Sequence, residues 1–516
     1  MGRGSKPTTQ ARSRWTGPGE GSAGIGAKKD VGFRRRKLRS ARAFIVCAAL
    51  ALGVAACSSG PEGRFVSLPQ IPKQSDSAPG SQREHQRILA AYGGQYQNPK
   101  LESLLDKIVV RLIAASERPD LRYRVTILNS PAVNAFALPN GQLYVTRGLL
   151  SLANDTSEIA SVISHEMAHV IARHASIRED QAKQAALVNR VANDVFNDPQ
   201  MGALALARSK IAMANFSRAQ ELEADGIGVG ISSRAGYDPY GAARFLTAMG
   251  RNAELRASSG GSDPRYLDFL SSHPGTLDRV KVATSNARQH MVPGAGDRDH
   301  AAYLAAIDGL IYGDDPTEGL IRGRRFLHPK LGFTFVAPDA FTLENTAQAV
   351  LGVKEGGGQA LRLDVVRVPA EQSLADYLKS GWIENIEADS VEEMAINGLF
   401  AATASAKSDE WTFRIYAIRF GSDVYRFIFA SKAKTPEIDR AFRYSVGTFR
   451  RMTLAESEAA KPFRLKIMTV RPGDTVEKLA ARMAPIDRPV ERFLIVNGLT
   501  PGQALKPGDE VKLIVE

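Results

Sequence analysis

A chain of 516 residues exceeds one ordinary domain, and roughly 150 residues per domain suggests about three. Its 44% hydrophobic and 24% charged residues form a globular mixture with apolar material for several cores. The formal charge of +12 suggests a nucleic-acid partner only until it is located: residues 1–42 hold twelve Lys/Arg against Glu20 and Asp30, so the rest is nearly neutral and a phosphate-binding role loses its main support.

In chain order, the basic stretch runs into the apolar segment 43–57, AFIVCAALALGVAAC. A cationic region, an apolar run of about 14 residues and small residues at its end form a secretory signal, short for a membrane span. Val54-Ala55-Ala56-Cys57 resembles the bacterial lipobox, which implies a diacylated Cys57 as the mature N-terminus. Cleavage beside an incidental Cys is the alternative. Acyl methylenes would anchor the protein at roughly 0.8 kcal/mol each. Ser58, rather than Asp, resembles lipoproteins passed on to the outer membrane. Residues 1–30 are long for a signal n-region, which points to translation starting near Val31. Cys47 leaves with the signal and no Cys follows Cys57, so the mature chain has neither disulfides nor cysteine metal ligands.

Residues 58–83, rich in Ser, Pro and Gly, read as a tether. A helical pattern begins near Glu84, with Leu101, Leu104, Leu105, Ile108, Val109 and Leu112 on one face. Leu121–Leu128 alternates as a strand does; Asn134–Leu138 and Gln142–Thr146 predict a hairpin turning at Pro139-Asn140-Gly141. A helical block spans about 147–288, and within it Asp155-Thr156-Ser157-Glu158 offers an N-terminal cap. Residues 301–325 read as a connector with helical character. The unit 326–452 is a small α+β domain with β-like runs at Phe333–Val336, Ala360–Val368, Trp411–Phe420 and Val424–Phe429. Beyond the polar segment 456–461, residues 463–516 form a separate tail, and no array of short repeats is seen.

The chemistry lies at His165-Glu166-Met167-Ala168-His169. Histidines four residues apart on a helix share one face and can hold one metal ion, while Glu166 points beside it. There it can take a proton from a metal-bound water and return one to a leaving amine. A catalytic zinc needs a third protein ligand. His174 lies one residue short of the metzincin spacing and reads as a surface or supporting histidine. Ser217-Arg218-Ala219-Gln220-Glu221-Leu222-Glu223-Ala224-Asp225 is the better source: Glu221 as ligand, Asp225 one turn on to fix a ligand histidine's tautomer, and Glu223 solvated on another face.

HEMAHVIARH, SRAQELEAD and NAFALPNGQLYVTRGLL together resemble the HtpX/BepA-type metallopeptidase family, over roughly residues 84–290. The resemblance implies one zinc on His165, His169 and Glu221, with Glu166 as general acid/base. It also implies that Asn134, Ala135, Phe136 and Ala137 form an edge strand holding substrate in extended form. Ser272-His273-Pro274 with Arg279 matches an element that occludes the metal in the BepA-like branch, making His273 a candidate fourth ligand; a loop histidine before a helix-starting proline is the alternative. Arg218 either stabilises the oxyanion or pairs with an acid. The chain lacks the membrane helices of HtpX-type enzymes and the tetratricopeptide array of BepA, which argues against intramembrane substrates and a BepA-like chaperone role.

Val470-Arg471-Pro472-Gly473-Asp474-Thr475, Asn497-Gly498-Leu499 and Lys506-Pro507-Gly508-Asp509 resemble a LysM domain, a βααβ unit that commonly binds N-acetylglucosamine glycans, here peptidoglycan. A packing module that binds no sugar is the alternative. The expectation is thus a multidomain α+β protein: signal segment 1–57, tether 58–83, mainly helical gluzincin domain 84–300 with a small sheet, connector 301–325, α+β domain 326–452 and LysM-like tail 463–516. It predicts a zinc endopeptidase of the bacterial envelope, at the periplasmic face of the outer membrane through Cys57 or else in the periplasm, cleaving misfolded or misassembled envelope proteins. The rivals are a wall-anchored chaperone or adaptor and a peptidoglycan hydrolase.

Overall fold

The computed structural model describes residues 80–178, 180, 218–258, 273, 276–291, 296–383, 385–408 and 410–516. The signal segment, Cys57 and the tether as far as residue 79 lie outside the described residues, as do Ser217, Ser272 and Pro274.

Helix α1 (Gly80–Ala91) begins within the expected tether, and α2 (Pro99–Ala115) follows. Asn98 caps α2 by accepting from Leu101 N at 3.2 Å, with Pro99 in the first turn, where its missing N–H costs nothing. Three strands then make a small sheet: β1 (Arg124–Leu128), β2 (Ala135–Ala137) and β3 (Gln142–Thr146). β2 and β3 form the hairpin, turning at Gly141, where φ is +85° and a Cβ would fall 1.9 Å from the Arg122 carbonyl oxygen. β1 pairs with β3 in parallel, so the order β1-β3-β2 leaves β2 on the edge.

Helix α3 (Arg147–Leu152) leads into α4 (Thr156–Ile171), whose N-cap Asp155 accepts from Glu158 N at 3.0 Å. Every residue of α4 from Thr156 to Ala168 is buried, so it is the central helix of its domain. Around it stand α5 (218–234), α6 (Gly241–Ser258), α7 (Thr276–His290) and α8 (His300–Ile307).

The expected connector is not a connector throughout. It holds β4 (Ile311–Tyr312) and β5 (Leu320–Arg322), which belong to different sheets. After β5 come β6 (Arg325–His328), β7 (Phe333–Val336), β8 (Phe341–Asn345), β9 (Val350–Lys354), β10 (Gln359–Val366) and α9 (Leu374–Lys379). β11 (Glu392–Ile396), β12 (Leu399–Lys407), β13 (Thr412–Phe420), β14 (Asp423–Ser431), α10 (Pro436–Gly447), β15 (Arg450–Arg451) and α11 (Leu454–Ala459) complete the region. A seven-stranded antiparallel sheet, β11-β12-β13-β14-β10-β9-β8, shares one aromatic core with the four-stranded sheet β15-β7-β6-β5 and α10. Its other face is covered by α9 over Ala402, Ala404 and Ala406, whose small side chains admit the helix.

The chain then returns with β16 (Phe463–Thr469), α12 (Val476–Ala480), α13 (Pro489–Val496) and β17 (Glu510–Val515), the βααβ unit. Its sheet runs β17-β16-β4, with Tyr312 opposite Phe463 and Ile311 opposite Arg464. The whole α+β region 313–462 is therefore inserted between two paired strands. The expected separate tail is instead packed into the helical domain: Leu465, Phe493, Leu513 and Ile514 belong to the same apolar cluster as Leu149, Leu150 and Ile163. Among the described residues, no helix is long and apolar enough to cross a membrane.

Candidate metal centre

α4 and α5 cross closely because Gly228 lies against the start of the HEMAH segment. A Cβ there would stand 3.0 Å from His165 N and 3.1 Å from its Cα. Gly228 is seven residues, two helical turns, beyond Glu221, so the same face of α5 brings Glu221 to the histidines.

His165, His169, Glu221 and His273 each offer one ligand atom, all within 4.8 Å of one another. Nε2 of His169 is 3.0 Å from Nε2 of His165, and those atoms stand 3.5 and 3.4 Å from the Glu221 carboxylate. Nδ1 of His273 is 2.8 Å from Glu221 Oε2 and 3.5 Å from His165 Nε2. Ligands on a tetrahedral ion with bonds of about 2.0–2.1 Å stand about 3.3 Å apart, so these donors have the spacing of a coordination shell.

The outer nitrogens of both helix histidines are occupied. His165 Nδ1 meets Asp225 Oδ1 at 3.0 Å, and His169 Nδ1 meets His174 Nδ1 at 2.8 Å. Both Nε2 atoms are thereby turned inward. His174 is a support rather than a donor to the group; its Nε2 lies 3.4 Å from Glu223, a largely exposed carboxylate. Glu223, expected to be solvated on another face, thus also meets His174.

Arg279 is the buried guanidinium of the site, and the more exposed Arg178 also reaches Glu221 at 3.4 Å. Arg279 is 2% exposed, donates to both oxygens of Asp225 at 2.8 Å and to the His273 carbonyl at 3.1 Å, and lies 3.2 Å from Glu221. Arg218 lies on the exposed surface of α5. The signal that could have found Arg279 was its spacing from His273, which the sequence reading noted without assigning it a role.

The electrostatics favour a cation. Burial works to lower His165, but hydrogen bonds to Asp225 and Glu221 outweigh it and push the imidazole up to about 9. Burial works to raise Glu221, yet His165 and His273 hold its carboxyl well below the usual range. Asp225 is lowered in the same way by Arg279 and His165 against its burial. His169 is lowered by burial and by the charge of His165. Glu166 is buried at 3% exposure and raised by that burial. Its Oε1 has no hydrogen-bond partner among the described residues, and His273 Nε2 is 3.7 Å away. A buried acid with one oxygen open towards the donor group fits a base awaiting a polar ligand.

β2 packs against α4 and ends its sheet, so it presents an edge. Phe136 stacks on Tyr144 at 4.9 Å and packs near Tyr92, whose hydroxyl accepts from Asn134 at 3.2 Å. Ala135 is buried, while Phe136 and Ala137 are half-buried.

Residues 99–287 match the description of Peptidase family M48, and residues 468–513 match that of the LysM domain. The mitochondrial metalloendopeptidase OMA1 of Schizosaccharomyces pombe is 28% identical over 208 residues, 39% of this chain and 58% of that protein. OMA1 of Arabidopsis thaliana is 35% identical over 176 residues, 33% of this chain and 32% of that protein. The beta-barrel assembly-enhancing protease of Escherichia coli K12 is 30% identical over 217 residues, 40% of this chain and 43% of that protein. The chain thus spans between a third and three-fifths of these relatives.

Proposed function

We propose, from a chain whose residues 99–287 form a Peptidase family M48 domain and whose residues 468–513 form a LysM domain, that the protein is a zinc endopeptidase of the bacterial envelope. The donor group of His165, His169 and Glu221, with the open oxygen of Glu166 beside it, is the observation that carries this reading. Bound zinc would lower the pKa of a coordinated water towards roughly 7 and polarise the scissile carbonyl.

The chain's own residues do the rest. Glu166 accepts the proton of the attacking water and delivers one to the leaving amine, and burial favours its protonated form for that second step. Asp225 and His174 hold the ligand imidazoles in orientation, and Arg279 holds Asp225. β2 receives the substrate backbone as an added strand, with Phe136 beside the bound chain. His273, with Nδ1 2.8 Å from Glu221 Oε2, would fill the fourth ligand position that a water needs and so hold the centre closed.

The substrates are envelope proteins, misfolded or misassembled, and the relative named as enhancing beta-barrel assembly supports that choice. Lipid attachment at Cys57 would hold the enzyme at the periplasmic face of the outer membrane. The LysM unit favours a second binding partner, peptidoglycan: its loops at 471–473 and 500–504 are exposed, as a glycan surface requires.

Casein cleavage and zinc content of wild type beside Glu166→Gln test the reading. The variant should keep one zinc per chain and lose cleavage by about a hundredfold or more. Cleavage at the wild-type rate would overturn the assignment. Release of muropeptides by wild type, without casein cleavage, would favour a peptidoglycan hydrolase.

A further inference from the structure

Where the inserted α+β region, the LysM unit and the end of α6 meet, they enclose a groove of about 790 Å³. Arg256, Arg322, Arg324, Arg488 and Arg492 line it, against two acids, Glu344 and Asp487. Five guanidiniums converge here from three parts of a chain whose body is nearly neutral; Arg324 is ion-paired to Asp339 at 2.7 Å and Arg492 to Asp487. Arg322 is the most telling. It stacks 3.8 Å from the Phe463 ring and donates to the carbonyls of Ile321 and Lys461, and the carboxylates that act on it, Asp314 and Glu516, form no ion pair with it within 4.0 Å among the described residues. Burial lowers its pKa from the ordinary value, the mark of a cation incompletely compensated.

The walls are strands. β8 ends the seven-stranded sheet and β5 ends the four-stranded sheet, and these two end strands lie against each other along the groove. Thr342 and Val353 pair across β8 and β9 and are exposed there, Val353 at 42%. Edge strands recognise extended chains through main-chain hydrogen bonds, and side-chain alternation supplies specificity. Arginine forks match carboxylates in two-point contacts.

We propose that this groove is a docking site for an extended polypeptide segment in which acidic residues alternate with apolar ones. The proposal rests on the peptidase reading only in taking the segment to belong to a substrate protein. The charge, the apolar wall and the two end strands together select that occupant. Docking there would hold a substrate away from the metal centre and lower KM without touching the chemical step.

The test is fluorescence anisotropy of a labelled decapeptide of alternating glutamate and valine, using the full chain. Wild type should bind it, with affinity falling as salt rises, and should bind the lysine–valine counterpart at least about tenfold more weakly. Arg322→Glu should weaken binding about tenfold or more. Arg324→Ala, which removes a partly exposed guanidinium whose ion-pair partner Asp339 is itself exposed, should weaken it severalfold. In both variants cleavage of a short peptide without acids should keep its kcat/KM, and circular dichroism should report an unchanged fold. Binding equal in wild type and both variants would overturn the proposal. So would groove-dependent binding of vesicles of anionic phospholipid with none of the peptide. Absent casein cleavage together with arginine-dependent peptide binding would sink the peptidase reading and leave the docking site standing.

Discussion

The inserted α+β region and the LysM unit invert what their sizes suggest. The larger, 313–462, has two apolar clusters of its own and meets the rest where β4 pairs with β16, where Arg147 donates to the Gly313 carbonyl at 2.6 Å and where Arg256 stands 4.0 Å from Glu344. The smaller, 463–516, has no separate core: its apolar residues fill the cluster that also buries the helix of the metal centre. Lys512 makes the difference chemical. It is fully buried on β17, and its Nζ donates to the carbonyls of Ser151, Leu152 and Ala153 at 2.9, 3.3 and 2.8 Å. Those are orphan carbonyls at the end of α3, one turn before the cap of α4. Asp155, Glu158 and Arg244 stand around it, with Arg244 bonded to both acids. Asn497 clamps the Lys512 backbone from both sides, through N–H and carbonyl. The LysM unit is thus part of the scaffold that aims the HEMAH helix, while the inserted domain can be spared by it.

The largest expected contrast comes from removing each in turn. Replacing 314–461 by Asn-Gly joins Tyr312 to Phe463 through a short hairpin turn, and the remaining protein should fold and retain its metal. Ending the chain after 461 strips Leu513, Ile514 and Phe493 from the shared core, so cooperative unfolding and metal retention should both be lost. Calorimetry of the two proteins decides it; a well-folded truncation beside an unfolded excision would reverse the comparison.

Lys512→Met should cost about 4 kcal/mol, because the buried carbonyls of Ser151, Leu152 and Ala153 lose their donor. The loss should appear in urea unfolding of the metal-binding unit and leave that of the inserted domain unchanged. A change under about 1 kcal/mol would mean that the seam contributes little.

A smaller effect should be confined to the inserted domain. His328 is packed against Phe326 and Phe333, and burial, with Lys330 nearby, lowers it from 6.5 to about 4. Between those values the unfolded chain holds a proton that the folded domain does not. The contribution is therefore complete above about pH 6.5 and lost as pH falls towards about 4, by roughly 3 kcal/mol. His328→Asn retains an acceptor for Leu331 N and should flatten that pH dependence of urea unfolding; an unchanged slope would show that His328 is not the group responsible.

How much was legible in the sequence follows the range of the interactions. The histidines of α4 and the capping Asp155 are local patterns, and the chain presents them within one helix. The hairpin is local too, and Gly141 marks its turn. Strand β12, LFAATASAK, escaped notice because alanines bury both faces and blur the alternation. Gly228 carries no sign of its neighbour, since the close approach is a property of two helices 63 positions apart. The seam was invisible for the same reason: Lys512 and Ser151 are separated by 361 positions.

The most direct test of the metal centre is zinc per chain, measured by mass spectrometry of metals after dialysis, for wild type and Glu221→Ala. The account expects one zinc in wild type and loss of most of it in the variant, with Arg279 and Asp225 still keeping the fold. Full zinc occupancy in Glu221→Ala would contradict it.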